Sequence, residues 1–299
     1  MKLLTYTVGS RNRQLLGVLS QDEEWVYPLS SFGMDYKSMS DVVCSLSDSE
    51  LQLLAHSTSK QPEKIAGAVN VHEITILAPI PQPAQDIICL GINYMAHAEE
   101  SARFKNESFS GERPYAVYFS KRVNSCLNPN ENIPSYPTLV DSLDYECELA
   151  VILKKDAKNV SPEDAKDYIF GYTILNDVSA RNIQNRHKQW YFGKSLDGFC
   201  PMGPWIVTAD SFAFPPKLQL QTHVNGELRQ NANTSDLIFG LEHIISELSE
   251  GMTLKAGTII STGTPSGVGM GMTPPTFLKS GDVVECKIEG IGVLKNTVE

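Results

Sequence analysis

No run of basic residues, no Cys-x-x-Cys spacing and no apolar stretch of membrane-spanning length occurs in this 299-residue sequence, and each absence removes a class of function. Lysine and arginine number 25 against 35 aspartates and glutamates, a formal charge of -10, so no clustered basic face exists for nucleic acid to bind. An excess of acid suits divalent cations instead. The six cysteines, at positions 44, 89, 126, 147, 200 and 286, show neither metal-site spacing nor a compact secreted framework. They read as reduced thiols of a cytoplasmic protein, with no obvious nucleophile among them. The opening Met1-Lys2-Leu3-Leu4-Thr5-Tyr6 turns polar by Gly9-Ser10-Arg11, too early for the core of a signal peptide, so the chain is expected to be neither exported nor embedded.

Missing motifs narrow the chemistry further. No Gly-x-Ser-x-Gly elbow is present, and Cys200 with His187 has no partner at zinc-ligand spacing. The glycine-rich Gly263-Thr264-Pro265-Ser266-Gly267-Val268-Gly269 lacks the lysine of a phosphate-binding loop, and Gly267-x-Gly269-x-Gly271 is not the dinucleotide fingerprint. Its backbone amides, starting at Gly263, and Thr264 remain able to contact a small oxyanion.

With 41% hydrophobic and 20% charged residues, the chain can bury a large core. Residues 1–78 read as a small N-terminal α/β domain of short strands and one amphipathic stretch near Asp48–Ala55. The connector Pro79-Ile80-Pro81-Gln82-Pro83 then opens a catalytic domain over 79–299. That domain is mostly strands, expected near 115–120, 147–153, 171–175, 205–208, 218–224, 258–262 and 283–288. Asn225-Gly226 supplies the positive φ of a type I′ hairpin turn. Helices are few: one is expected at Ser161-Pro162, with Ser161 as cap, and one over 236–250, closed by Gly251. Strands and helices do not alternate regularly, which predicts a β-rich α+β fold and not a doubly wound sheet.

The chemistry-bearing feature is Asp144-Tyr145-Glu146-Cys147-Glu148, followed about thirty positions later by Asn176-Asp177 at the end of a second apolar run. A strand alternates faces with period 2, so Glu146 and Glu148 project to the same side. An isolated Glu-x-Glu is usually a solvated strand face. Here the apolar Leu149-Ala150-Val151-Ile152-Leu153 marks a buried strand, where crowded carboxylates need a cation. With Asp177 the set is three hard oxygen donors and no fourth protein ligand, which suits Mg2+ or Mn2+ with positions left for water and substrate.

Other polar residues group around this trio. The stretch 94–113 is written as a mobile lid, and within it His97 and Glu100 stand at i,i+3, where a carboxylate can orient an imidazole base; alone, such a pair is more often a surface ion pair. A helix starting at Asp177 is expected to stack Asp177, Arg181 and Gln184 on one face, offering a fork-shaped donor to a substrate carboxylate or forming an Arg–Asp pair. Lys194, in Gly193-Lys194-Ser195-Leu196-Asp197 beside Phe192, suits stabilisation of an enolate, the plain alternative being a surface lysine.

Together, Gly91-Ile92-Asn93-Tyr94-Met95-Ala96-His97, Asp144 to Ala150, Asn176-Asp177-Val178-Ser179-Ala180-Arg181, Gly193 to Asp197 and Thr262 to Gly269 closely resemble the motifs of the fumarylacetoacetate hydrolase superfamily, in the same order and across residues 79–299. The resemblance implies a homodimer and a mixed β-roll/β-sandwich catalytic domain. It also implies Mg2+ or Mn2+ on Glu146, Glu148 and Asp177, a lid dyad of His97 and Glu100, and Lys194 beside the bound oxygens. Arg186-His187-Lys188-Gln189-Trp190, Gly251 to Leu254 and Met272 to Pro275 look like bacterial members that include oxaloacetate decarboxylases. Asn182 stands where many relatives carry aspartate, and Ile92 where others carry a basic residue. The expected substrate is a small 2-oxo or 1,3-dicarbonyl acid whose C–C bond is cleaved through an enolate, by hydrolysis of an acylpyruvate or fumarylacetoacetate type or by decarboxylation of oxaloacetate. Isomerisation or hydration of an unsaturated 2-oxo acid from aromatic catabolism uses the same enolate, and a non-catalytic metal-binding module is the rival from another class.

Overall fold

The computed structural model describes residues 1–9, 13–105, 108–109 and 111–299. Its centre is strand Cys147–Leu153, every residue of which is buried. This strand pairs antiparallel with Ile169–Asn176 on one side and with Ile259–Ser261 on the other. Beyond Ile259–Ser261 come Ile87–Gly91, parallel to it, and then Val117–Lys121. Beyond Ile169–Asn176 lie Met202–Thr208 and the N-terminal strands Lys2–Val8, Leu15–Leu19 and Trp25–Pro28, which continue the same eleven-stranded sheet. A second, five-stranded sheet is built from Glu227–Asn233, Gln219–Val224, Val283–Ile288, Gly292–Val298 and Asn132–Ile133. The architecture is the strand-rich mixture of sheet and short helices that the sequence predicts.

The apolar run of the central strand follows from its position between two cores. Leu149, Val151 and Leu153 face the five-stranded sheet, packing in one cluster with Leu220, Val284 and Ile288. Ala150 and Ile152 face the other way, toward Val42, Val43 and Leu54 of the N-terminal helices. A strand with no solvated face cannot alternate apolar with polar, which is why it reads as continuous hydrophobicity. Period 2 then places Glu148 on the face of Ala150 and Ile152.

Local signals hold in most places. Asn225 and Gly226 both have positive φ, at 51° and 81°, as the hairpin turn requires. Ser161 caps its segment by accepting from the Asp164 amide, although Pro162–Tyr168 winds as a 3-10 helix. The helix expected over 236–250 begins only at Leu241 and runs to Gly251. Its predicted first turn is instead tied down elsewhere: the Ile238 amide donates to the Asn93 carbonyl and the Phe239 amide to Asn93 Oδ1. No described helix is long and apolar enough to cross a membrane, and all six cysteines are free.

Candidate active site

Glu146, Glu148 and Asp177 offer carboxylate oxygens that all lie within 4.8 Å of one another, and all three residues are buried. Glu146 sits one residue before the central strand and Asp177 one residue after its neighbour, so the pairing of Cys147 with Asn176 brings them side by side. Two hydrogen bonds lock the junction: the Glu146 amide donates to Asn176 Oδ1 (3.0 Å) and the Asp177 amide to the Glu146 carbonyl (2.8 Å).

The expected stack of Asp177, Arg181 and Gln184 on one helix does not form. Residues 179–180 pair as a short strand with Leu143–Asp144, and the helix starts only at Arg181. Arg181 therefore reaches Asp144 and Glu146 and not Asp177: Nε lies 2.8 Å from Asp144 Oδ2 and Nη1 lies 2.6 Å from Glu146 Oε1. Nη1 also donates to Gln184 Oε1 at 3.0 Å. Nη2 is buried without a partner among the described residues.

Two lysines complete the charge pattern. Lys194 Nζ bridges Glu146 Oε2 and Asp177 Oδ2, each at 2.7 Å, so it is a buried site cation and not a surface group. Lys121, which the sequence did not single out, holds Asp177 Oδ1 at 2.7 Å and donates to the Val178 carbonyl. Burial alone raises a carboxyl pKa, but Lys194, Arg181 and His97 outweigh it at Glu146 and bring that group down to about 2. Glu148 lacks such compensation: burial, then Asp177 and Glu146, push it well above the usual carboxylate range. Burial also opposes the charge of Lys194, yet Asp177 and Glu146 prevail and its pKa is raised.

The donor set fits a divalent ion on charge as well as on shape. Five buried carboxylates, Glu100, Asp144, Glu146, Glu148 and Asp177, face three buried cations, Lys121, Arg181 and Lys194. With all five ionised, and His97 aside, five minus three leaves two negative charges, which one Mg2+ or Mn2+ would neutralise.

The glycine-rich loop has an unexpected task. Its amides point at the protein's own carboxylates: Gly263 donates to Glu148 Oε2 (2.9 Å), Gly267 to Glu100 Oε1 (2.9 Å), and Gly269 and Met270 to the two oxygens of Asp144 (2.7 and 3.0 Å). A Cβ on Gly271 would overlap the Glu100 side chain, which explains glycine there. Thr264 Oγ1 donates to the Cys147 carbonyl and still lines the cavity.

Helix Met95–Lys105 forms the first part of the expected lid; residues 106, 107 and 110 of that stretch lie outside the described residues. His97 and Glu100 are both 4% exposed, with Nδ1 and Oε2 2.9 Å apart, so the pair is internal and not a surface ion pair. A carboxylate only accepts, which makes Nδ1 the donor and leaves Nε2 for other work.

His97, Glu146, Arg181, Gln184, Lys194 and Thr264 line one cavity of about 30 Å³. Ile92 lines it too, at φ 55°, an uncommon conformation for a β-branched residue. It is followed by Asn93, whose side chain donates to the Phe239 and Thr262 carbonyls. Trp190 closes one wall against Gly91, where a Cβ would collide with the indole, and Phe119 meets that ring edge-on at 5.3 Å. Asp197 is exposed and outside this cavity; Asn182, half-buried, also lies outside it and anchors to Ser142 and Leu139.

This fold and site define a member of the fumarylacetoacetate hydrolase family, to which the chain belongs: residues 86–299 match the family described as fumarylacetoacetate (FAA) hydrolase C-terminal. The chain is 46% identical over 242 residues, 80% of this chain and 79% of the other, to the oxaloacetate tautomerase YisK of Bacillus subtilis (strain 168). Among solved structures it is similar to a fumarylacetoacetate hydrolase from psychrophilic Exiguobacterium antarcticum, with TM-score 0.84, 37% identity and coverage of 100% of this chain and 99% of that one. It is also similar to the maleylpyruvate hydrolase of Sphingobium sp. SYK-6 in complex with manganese(II) and pyruvate, with TM-score 0.76, 29% identity and coverage of 100% and 98%.

Proposed function

We propose that this chain is a divalent-metal-dependent enzyme that forms the enolate of a small 2-oxo acid carrying a second carbonyl or carboxylate. Oxaloacetate is the substrate favoured by the name of its Bacillus relative. One observation carries the reading: His97, held by Glu100, and the buried cation Lys194 line one small cavity with Glu146, whose carboxylate belongs to a cluster of three with Glu148 and Asp177. Glu146, Glu148 and Asp177 would hold Mg2+ or Mn2+, which when bound supplies Lewis acidity toward the 2-oxo oxygen.

The remaining steps belong to the chain's own groups. Arg181 Nη2, the unpartnered arm, and Gln184 bind the C1 carboxylate. Lys194 faces the charge that grows on the 2-oxo oxygen. His97 Nε2 takes a proton from C3 while Glu100 fixes the ring through Nδ1. Returning that proton to oxygen completes keto–enol tautomerisation, the isomerase form of the reaction. A cavity of about 30 Å³ is far below the roughly 300 Å³ of small-molecule sites, so binding requires helix Met95–Lys105 or Trp190 to shift outward.

A second reading, C–C cleavage, is supported by the maleylpyruvate hydrolase neighbour and by the dyad itself. There His97 takes its proton from water, which attacks the distal carbonyl; loss of CO2 from oxaloacetate needs no base. The proposal includes the homodimer implied by the family resemblance, which analytical ultracentrifugation checks. The deciding experiment runs oxaloacetate, acetylpyruvate and fumarylacetoacetate with Mg2+, Mn2+ and EDTA, following enol interconversion and carbon products separately. Metal-dependent interconversion of oxaloacetate supports the first reading, metal-dependent cleavage the second, and turnover undiminished by EDTA rejects both.

A further inference from the structure

We infer that Lys105, held over the face of Trp190, reads the second carboxylate of the substrate and makes this a site for a four-carbon dicarboxylic keto acid in preference to acylpyruvates that lack a second carboxylate; the inference rests on the enolate-forming reading above. Three residues of helix Met95–Lys105 line the cavity: His97, Ser101 and Lys105. Their spacing of four and four puts them on one helix face, and the Cα–Cβ bond of a helical residue leans toward the N-terminus, so the Lys105 side chain runs back toward His97. Arg181 and Lys194 stand deep in the same cavity, both 2% exposed, whereas Lys105 is exposed at its rim. The cavity thus has a buried cationic end for the C1 carboxylate and 2-oxo oxygen, and an outer cation along the direction in which the rest of the substrate extends.

The outer cation is positioned by an aromatic ring. Lys105 Nζ lies 6.0 Å from the centroid of the Trp190 indole, and the ring itself is fixed by Gly91 and Phe119. At that distance the cation–π attraction is weak enough for a carboxylate to displace it, and no described carboxylate forms an ion pair with Lys105. The plain alternative is a helix-terminal charge complementing the macrodipole. Arg103 occupies the same last turn, is exposed, and does not line the cavity, so it separates the two explanations.

The test measures enzyme-dependent solvent deuterium exchange at C3 of oxaloacetate and of its 4-methyl ester, with Mn2+ present, in the unmodified protein and in Lys105→Met, Lys105→Arg and Arg103→Met. Lys105→Met is expected to raise KM for oxaloacetate roughly tenfold to a hundredfold, the span of one charge-assisted hydrogen bond, with kcat little changed and the ester unaffected. Lys105→Arg restores oxaloacetate affinity, and Arg103→Met leaves both substrates as they were. Equal effects of Lys105→Met on acid and ester, no effect on either, or the same loss in Arg103→Met overturns the inference. Absence of exchange of both substrates by the unmodified protein overturns the enolate-forming reading itself. Melting curves of the four proteins with Mn2+ exclude loss of folding as the cause.

Discussion

Replacing Glu148 with glutamine tests the electrostatics of the site through stability. Glutamine keeps the volume and an oxygen to accept from Ser261 Oγ (2.6 Å) and the Gly263 amide, but cannot ionise to give the negative charge that a bound divalent ion requires. The native Glu148 pKa is raised by burial, Asp177 and Glu146, so the metal-free native state holds a proton that the unfolded chain releases near pH 4.3. Stability from this group is therefore complete below pH 4.3 and declines as pH rises toward the native value, at about 1.4 kcal/mol per pH unit. Glu146, lowered to about 2, has the opposite sign, and its contribution is lost only below pH 4.3, outside the measured window. Chemical unfolding of the EDTA-treated protein, followed upward from about pH 4.3, should show this decline, and Glu148→Gln should remove the part that Glu148 contributes. Ion binding gives the complementary signal: at a hundredfold excess over Kd it adds about 2.7 kcal/mol, or roughly 5 °C in melting temperature for a chain of this size, which Glu148→Gln should lose. A variant that keeps the full metal-induced shift, or that retains the wild-type pH slope without metal, refutes the reasoning.

Other perturbations address single contacts. His97→Ala should slow hydrolysis or tautomerisation by roughly 100- to 10,000-fold while leaving metal-dependent decarboxylation of oxaloacetate far less affected, as steady-state kinetics on both reactions would reveal; equal loss would remove His97 from the base role. Lys121→Met strips Asp177 Oδ1 of its buried partner and should cost about 3–5 kcal/mol by urea unfolding without metal, with part recovered by Mn2+. Gly91→Ala forces the Trp190 ring aside, costing about 1–3 kcal/mol and shifting tryptophan fluorescence; an unchanged spectrum would contradict the close contact.

Much of the site was legible because short-range geometry decides it. Period 2 placed Glu146 and Glu148 together, and an i,i+3 step placed His97 against Glu100. Asp177 was identifiable as the polar end of a buried strand, but its assignment to a helix failed because residues 179–180 first pair with Leu143–Asp144. What stayed hidden depends on partners distant in sequence. Lys121 meets Asp177 across 56 positions, and nothing in Val117–Lys121 distinguishes a buried lysine from an exposed one. Asp144 stood inside a quoted motif, yet its role as anchor for Arg181 and for the Gly269 and Met270 amides, 125 and 126 residues away, exists only once the sheet is assembled. The glycine-rich loop was read as a possible oxyanion contact; that the oxyanions are the protein's own carboxylates follows from tertiary pairing alone.

The most direct measurement is anomalous diffraction at the manganese edge from crystals soaked in Mn2+. The account predicts one strong peak coordinated by Glu146, Glu148 and Asp177, with Lys194 and His97 on the rim of the open side. No peak at these three carboxylates, or one whose coordination is completed by protein atoms with no position open to substrate, would contradict it.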